Sequence, residues 1–179
     1  MLRNTSLFGL ILIIISCTSE SFETEIPEFS GYYKIESFRS SENVDLDNDG
    51  IAHQNLQLEM GYYFENSHFD LEVKPHDIEG NPTQLISFYI PHPYLVFYNS
   101  DSTHYDLEFA RSAFSALYHF EERFVLNNSD FDEFGRINEI NLLDEDHIQL
   151  VIEKSYYDFN VQQWKILTIS ANYSKTSIY

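Results

Sequence analysis

Basic residues are scarce in this chain: ten Lys and Arg stand against 29 Asp and Glu in 179 residues, a formal charge of −19. A surface of that sign repels phosphate backbones and anionic headgroups, so nucleic acid is excluded as a partner. Cysteine is all but absent. Cys17 stands alone, which excludes an intramolecular disulfide and leaves no thiolate cluster for zinc. The seven histidines include no pair at a zinc-binding spacing. Glycine is scarce too, and none of the six forms part of a Gly-x-Ser-x-Gly, a phosphate loop or a dinucleotide fingerprint. What the chain has in quantity is aromatic and apolar matter: 13 Tyr, 15 Phe and a hydrophobic fraction of 43%, enough for the core of one domain.

The N-terminus carries one positive residue, Arg3, then an apolar run at residues 7–15, then Ser16-Cys17. This is the layout of a secretory signal, and the run falls short of the roughly 20 residues a membrane-spanning helix needs. Ile14-Ile15-Ser16-Cys17 resembles the lipobox of bacterial lipoproteins. That resemblance implies cleavage after residue 16, acylation of Cys17 and anchoring in a lipid bilayer, durable because several chains insert. Residues 17–28 are polar and acidic, without periodicity, and read as a flexible tether. Acidic residues directly after the cysteine resemble the export signals of Bacteroidetes surface lipoproteins. The expected location is therefore the cell envelope, as an outer-membrane lipoprotein on the surface side. Loss of residues 1–16 removes one Arg and no acid, leaving nine basic residues against 29 acidic, a formal charge of −20.

Residues 29–179 read as one all-β domain. Period-two alternation puts Phe69, Leu71 and Val73 on one face, then Ile148, Leu150 and Ile152, then Leu167, Ile169, Ala171 and Tyr173. Asp158 and Asn160 suit a turn between the last two segments, which predicts a long C-terminal hairpin. Pro91 and Pro93 predict a break that divides residues 84–98 into two strands. Residues 107–124 fit both periods, since Leu107, Ala110, Phe114 and Leu117 form a helical stripe; the aromatic load favours strand. About eight strands with short connections predict a closed antiparallel barrel, with a two-sheet β-sandwich as the alternative.

Gly31-Tyr32-Tyr33, the acidic run at residues 44–51, and Tyr156-Tyr157-Asp158 with Trp164-Lys165 and Tyr173-Ser174-Lys175 together resemble the lipocalin-like lipoproteins of Bacteroidetes. The resemblance spans residues 28–176 and implies an eight-stranded lipocalin-like barrel whose interior holds a small apolar molecule. Tyr33 departs from the pattern, standing where lipocalins carry Trp, and its hydroxyl needs a partner if buried. Asp101-Ser102-Thr103 resembles an O-glycosylation sequence of the same bacteria.

The run VDLDNDGI, residues 44–51, begins like a calcium loop. Asp45, Asp47 and Asp49 would supply side-chain oxygens, Gly50 the sharp turn and Ile51 a carbonyl. The closing position holds Leu56, which cannot ligate; Glu59 comes three residues late. A weak calcium site and a plain solvated turn both fit, because Asp and Asn also dominate turns without metal.

The expected function is non-catalytic: a membrane-anchored barrel binding a small hydrophobic or amphipathic ligand. Its lining would come from Tyr33, Phe69, Leu71, Phe88, Tyr118, Phe120, Leu150 and Trp164. A second reading is a surface accessory that binds glycan or a membrane protein through exposed Tyr and Trp. A third is a glycoside-type hydrolase using paired carboxylates from Glu121-Glu122, Asp130/Asp132/Glu133 or Asp144-Glu145-Asp146.

Overall fold

The computed structural model describes residues 29–64, 70–78, 81–97, 105–119, 124–125 and 135–177. Cys17, Phe69, Phe120, Asp101-Ser102-Thr103 and the acids at residues 121–122 and 130–133 lie outside the described residues.

The elements are β1 (Gly31–Val44), β2 (His53–Asn55), α1 (Leu56–Glu59), α2 (Gly61–Phe64), β3 (Leu71–Ile78), β4 (Asn81–Phe97) and β5 (Tyr105–His119). They continue with β6 (Phe124–Val125), β7 (Arg136–Leu142), β8 (His147–Asp158) and β9 (Gln163–Ser177). Eight strands form one antiparallel path, β6-β5-β4-β3-β1-β9-β8-β7, and the short β2 pairs with β1 off that path. The first and last strands thus meet in the middle of the sheet. The break falls between β6 and β7, which share no ladder among the described residues.

The sheet is curled into a half-barrel of lipocalin-like shape, and its side chains show why. Along β8, burial alternates residue by residue without a fault, and Ile148, Leu150 and Ile152 turn inward against Tyr173, Ala171 and Ile169 of β9. Each such aliphatic side chain taken from water is worth about 1.5–3 kcal/mol. Aromatic residues then bridge strands that are distant in sheet order. Tyr156 of β8 donates its hydroxyl to the Pro91 carbonyl of β4 at 2.7 Å, and Tyr118 of β5 donates to the Ile140 carbonyl of β7 at 3.0 Å. The second bond spans the break. Register shifts in β1 at Tyr32/Tyr33 and Ile35/Ser37 mark bulges, which sharpen local twist and help the sheet to curl.

Three local expectations meet the structure. β5 is a strand throughout, with Ala116 and Tyr118 buried on one face. Tyr33 is fully buried, and its hydroxyl finds the partner it needs in the Phe29 carbonyl. The predicted break at Pro91 and Pro93 does not occur: β4 runs straight through both. β3 is in register with β4 only as far as Phe88, and the next N–H, of Tyr89, goes to the Asp70 carbonyl. Past that point, among the described residues, β4 pairs as a ladder only with β5, so the amide hydrogens missing from the prolines are not required on the other side.

β1 is 14 residues long, roughly 45 Å of extended chain at about 3.3 Å per residue, and it separates two ends of the half-barrel. At one end lie Gly31, the turn at residues 143–146 and the last residues of β9, held together by Lys175 N–H donating to the Asp146 carbonyl. At the other lie the acidic run, α1, α2 and the β8–β9 turn, where Phe159 N–H donates to the Asp45 carbonyl.

Candidate functional site

The acidic run is built around its own backbone amides. Asp45 accepts from Asn48 N–H on Oδ1 at 2.8 Å and from Gly50 N–H on Oδ2 at 3.1 Å. Asp49 Oδ1 accepts from Ile51 N–H at 2.7 Å, and Asp47 Oδ1 from Asp49 N–H at 3.2 Å. Asn48 at φ 61° and Gly50 at φ 83° both take left-handed conformations, which Asn tolerates and Gly adopts freely. This is the turn chemistry the residue types predict.

Tertiary structure adds a carboxylate from outside the turn. Asn55 caps α1 by accepting from Gln57 N–H, and the single helical turn points Leu56 and Glu59, three apart, to the same buried side. Glu59 Oε2 then accepts from Leu46 N–H at 2.8 Å. Asp45, Asp47 and Glu59 each bring a carboxylate oxygen within 4.8 Å of the others. Of the five residues expected around a calcium ion, these three come together. Asp49 is not in that side-chain cluster, and Ile51, expected to ligate through its carbonyl, contributes no side-chain oxygen to it. A hard cation of calcium size fits three such oxygens, with water or carbonyls completing the shell, since each carboxylate oxygen keeps a free lone pair beside its amide bond.

Burial decides the electrostatics. Glu59 is 3% exposed, and desolvation raises its pKa above the ordinary 4.5. Asp47 and Asp45 add to the rise, while the Leu46 amide and His53 oppose it without cancelling it. Behind the turn, Asp158 is buried too, and burial alone would push its pKa up. The Lys165 ammonium at 2.8 Å and amides of Asp45 and Asn160 outweigh that and hold it below 3.8.

This lip borders a cleft of about 670 Å³. Leu46, Met60, Tyr63, Leu107, Phe109 and Phe159 supply its apolar wall. Asp47, Asn48, Glu59, Tyr94 and Glu108 supply the polar part, with Leu58 and Gly61 completing it. Tyr94 donates its hydroxyl to Glu108 at 2.6 Å, tying β4 to β5 at the rim.

Sequence-based lining residues lie elsewhere. Tyr33, Leu71, Phe88, Tyr118 and Leu150 are buried inside the half-barrel, packed among their own neighbours, and none of them lines the cleft. Trp164 is 49% exposed on the outer face, where it meets Tyr157 edge-on at a ring distance of 5.7 Å. Among the candidate catalytic acids, Asp144, Glu145 and Asp146 are exposed at the opposite end from the cleft. Of the expected metal ligands, only Asp47 and Glu59 also line the cleft. Asn55 ahead of Leu56, Glu59 and Met60 is a legible helix start, and it was the available signal for the inward turn of Glu59.

No family model, no curated protein and no solved structure matches the chain.

Proposed function

We propose that this chain is a membrane-anchored, non-catalytic binding lipoprotein that holds a small amphipathic ligand in the cleft at the mouth of its half-barrel. The observation that carries this reading is the cleft itself: about 670 Å³ with one apolar wall and a few polar groups at the rim. Such a volume and lining suit a ligand of modest size with an apolar body and a polar head. The ligand sits at the mouth, because the deep interior is filled by the chain's own side chains, Tyr33, Tyr156, Tyr173 and Phe38 among them. Acylation of Cys17 completes the reading. β1 begins at the end opposite the cleft, so a tether there would leave the mouth turned away from the bilayer.

The test uses the soluble domain, residues 18–179, titrated with a lipid extract of the source membrane during thermal denaturation. A ligand that binds only the folded state raises the midpoint in proportion to the logarithm of its concentration. Phe109→Arg, which puts charge into the apolar wall, removes the rise. A midpoint indifferent to the extract overturns the reading.

One observation favours the surface-accessory alternative. Tyr157 and Trp164 pack edge-to-face on the outside of the β8–β9 hairpin, with Val161 and Ile166 also exposed there, and Phe159 of the cleft wall meets Tyr157 edge-on. Aromatic faces flanked by Asn160, Gln162 and Gln163 suit a saccharide ring. Loss of binding to immobilised glycans in Trp164→Ala, with cleft binding intact, would assign function to this strip.

A further inference from the structure

Every charged side chain that the described residues bring to the cleft lining has the same sign. Among the described residues Asp47, Glu59 and Glu108 line it, and no Lys, Arg or His does. Glu59 is the most informative. It is 3% exposed, it faces the cleft, and among the described residues its single hydrogen bond is the one accepted on Oε2 from Leu46. Its Oε1 takes no hydrogen bond among the described residues and is not fully enclosed, so it opens toward the cleft. A largely desolvated carboxylate gains most when a positive or hydrogen-donating group meets its open oxygen. The nearby cations are engaged elsewhere: Lys165 with Asp158 and Glu42, Arg111 with Asp70 and the Tyr89 ring. His53 is close enough to act on Glu59 but is not part of the lining.

The other walls suit the same occupant. Tyr63, Tyr94, Phe109 and Phe159 present aromatic surface, which attracts organic cations through the ring quadrupole, and Leu46 and Met60 accept an apolar body. A carboxylate-headed ligand such as a fatty acid would meet three like charges and the field of a chain at −19. We infer that the ligand is an amphipathic cation, an amine or quaternary ammonium head on an apolar tail, its head against Glu59 and Asp47 and its tail along Met60 and Phe109. This rests on the binding reading above.

Three probes with one tail separate the two claims: decyltrimethylammonium, decanol and decanoate, each below its micelle concentration, measured by isothermal titration on the soluble domain in chelator. The cation should bind about tenfold or more tightly than the alcohol, and decanoate more weakly still. Raising salt from roughly 20 to 500 mM should narrow the gap. Glu59→Gln should erase most of the difference between cation and alcohol. If that variant folds poorly, Asp47→Asn combined with Glu108→Gln at the rim gives the same readout. Glu145→Gln, on the far turn, should change nothing. Equal affinity for cation and alcohol overturns the inference and leaves the binding reading standing. Failure of all three probes to bind overturns both.

Discussion

The chain has two acidic turns, one at each end of the half-barrel, and they behave differently. Residues 45–50 and residues 144–146 each join extended segments, each is rich in carboxylates, and each is followed by a histidine within a few positions. The turn at residues 144–146 stays in solvent, with Asp144, Glu145 and Asp146 all exposed. Asp144 accepts from Asp146 N–H and pairs with His147 at 2.7 Å, and backbone bonds from Leu143 N–H to the His147 carbonyl and from Lys175 N–H to the Asp146 carbonyl close the turn. The turn at residues 45–50 is drawn inward: Leu46 is fully buried, Asp45 is 2% exposed, and Glu59 reaches it from α1. The lesson is that acidic composition does not make a site. A neighbouring element must supply the buried surface and the extra carboxylate.

Substitutions at matched positions should break the comparison most strongly in the apolar anchors. Leu46→Ala removes a fully buried side chain and should cost about 3 kcal/mol in urea denaturation, whereas Leu143→Ala, at 55% exposure, should stay within about 0.5 kcal/mol. Comparable losses at both positions would mean that the two turns are alike.

Calcium should come next. If the site binds with a dissociation constant of roughly 0.1–1 mM, about 10 mM calcium should stabilise the folded state by about 1.4–2.7 kcal/mol. The shift in melting midpoint should vanish in Asp47→Asn and persist in Asp144→Asn. An unchanged midpoint in the parent protein would assign residues 45–50 to turn chemistry alone.

A smaller effect follows from pH. Glu59 has a raised folded-state pKa, caused first by burial, so above that value its charge weighs against the folded state. As pH falls through the raised value, the native protein takes up a proton before the unfolded chain does, and the residue's penalty fades. It is gone below about 4.5, the ordinary value. Glu59→Gln should therefore exceed the parent in stability at pH 7 and lose that advantage by about pH 4.5. Denaturation curves across that window check the sign. An advantage that grows on acidification would contradict it.

The least effect belongs to the exposed turn. His147 has its pKa raised above 6.5, first through its hydrogen bond to Asp144. An NMR titration should place its midpoint above 6.5 and bring it down in Asp144→Asn, with no change in the melting temperature. The same titration should leave calcium binding at the other end unaffected.

Much of the sheet was legible beforehand. The alternation of Ile148, Leu150 and Ile152 against Leu167, Ile169, Ala171 and Tyr173 specifies which face is buried, because a strand's period is two and a slip of one residue would expose all seven. The same parity contains an answer that the interior assignment of Trp164 missed. If Leu167 and Ile169 point inward, Trp164 points out, while Lys165 points in and meets Asp158. Pro91 and Pro93 misled for a different reason. Proline forbids a strand only where a neighbour needs its amide, and sequence does not show where β3 stops.

What the sequence determined by itself is the inside and outside of each strand, since apolar periodicity and hydration act locally on every residue in turn. It also determined the make-up of the acidic turn, whose Asp, Asn and Gly side chains and dihedrals are satisfied within a few residues. Only the tertiary structure decided that Glu59 would complete that turn, that the interior would be filled, and that a cleft would open between Met60 and Phe109. Those outcomes depend on groups far apart in the chain arriving at one end of a curled sheet, and long-range packing carries no local period from which to read them.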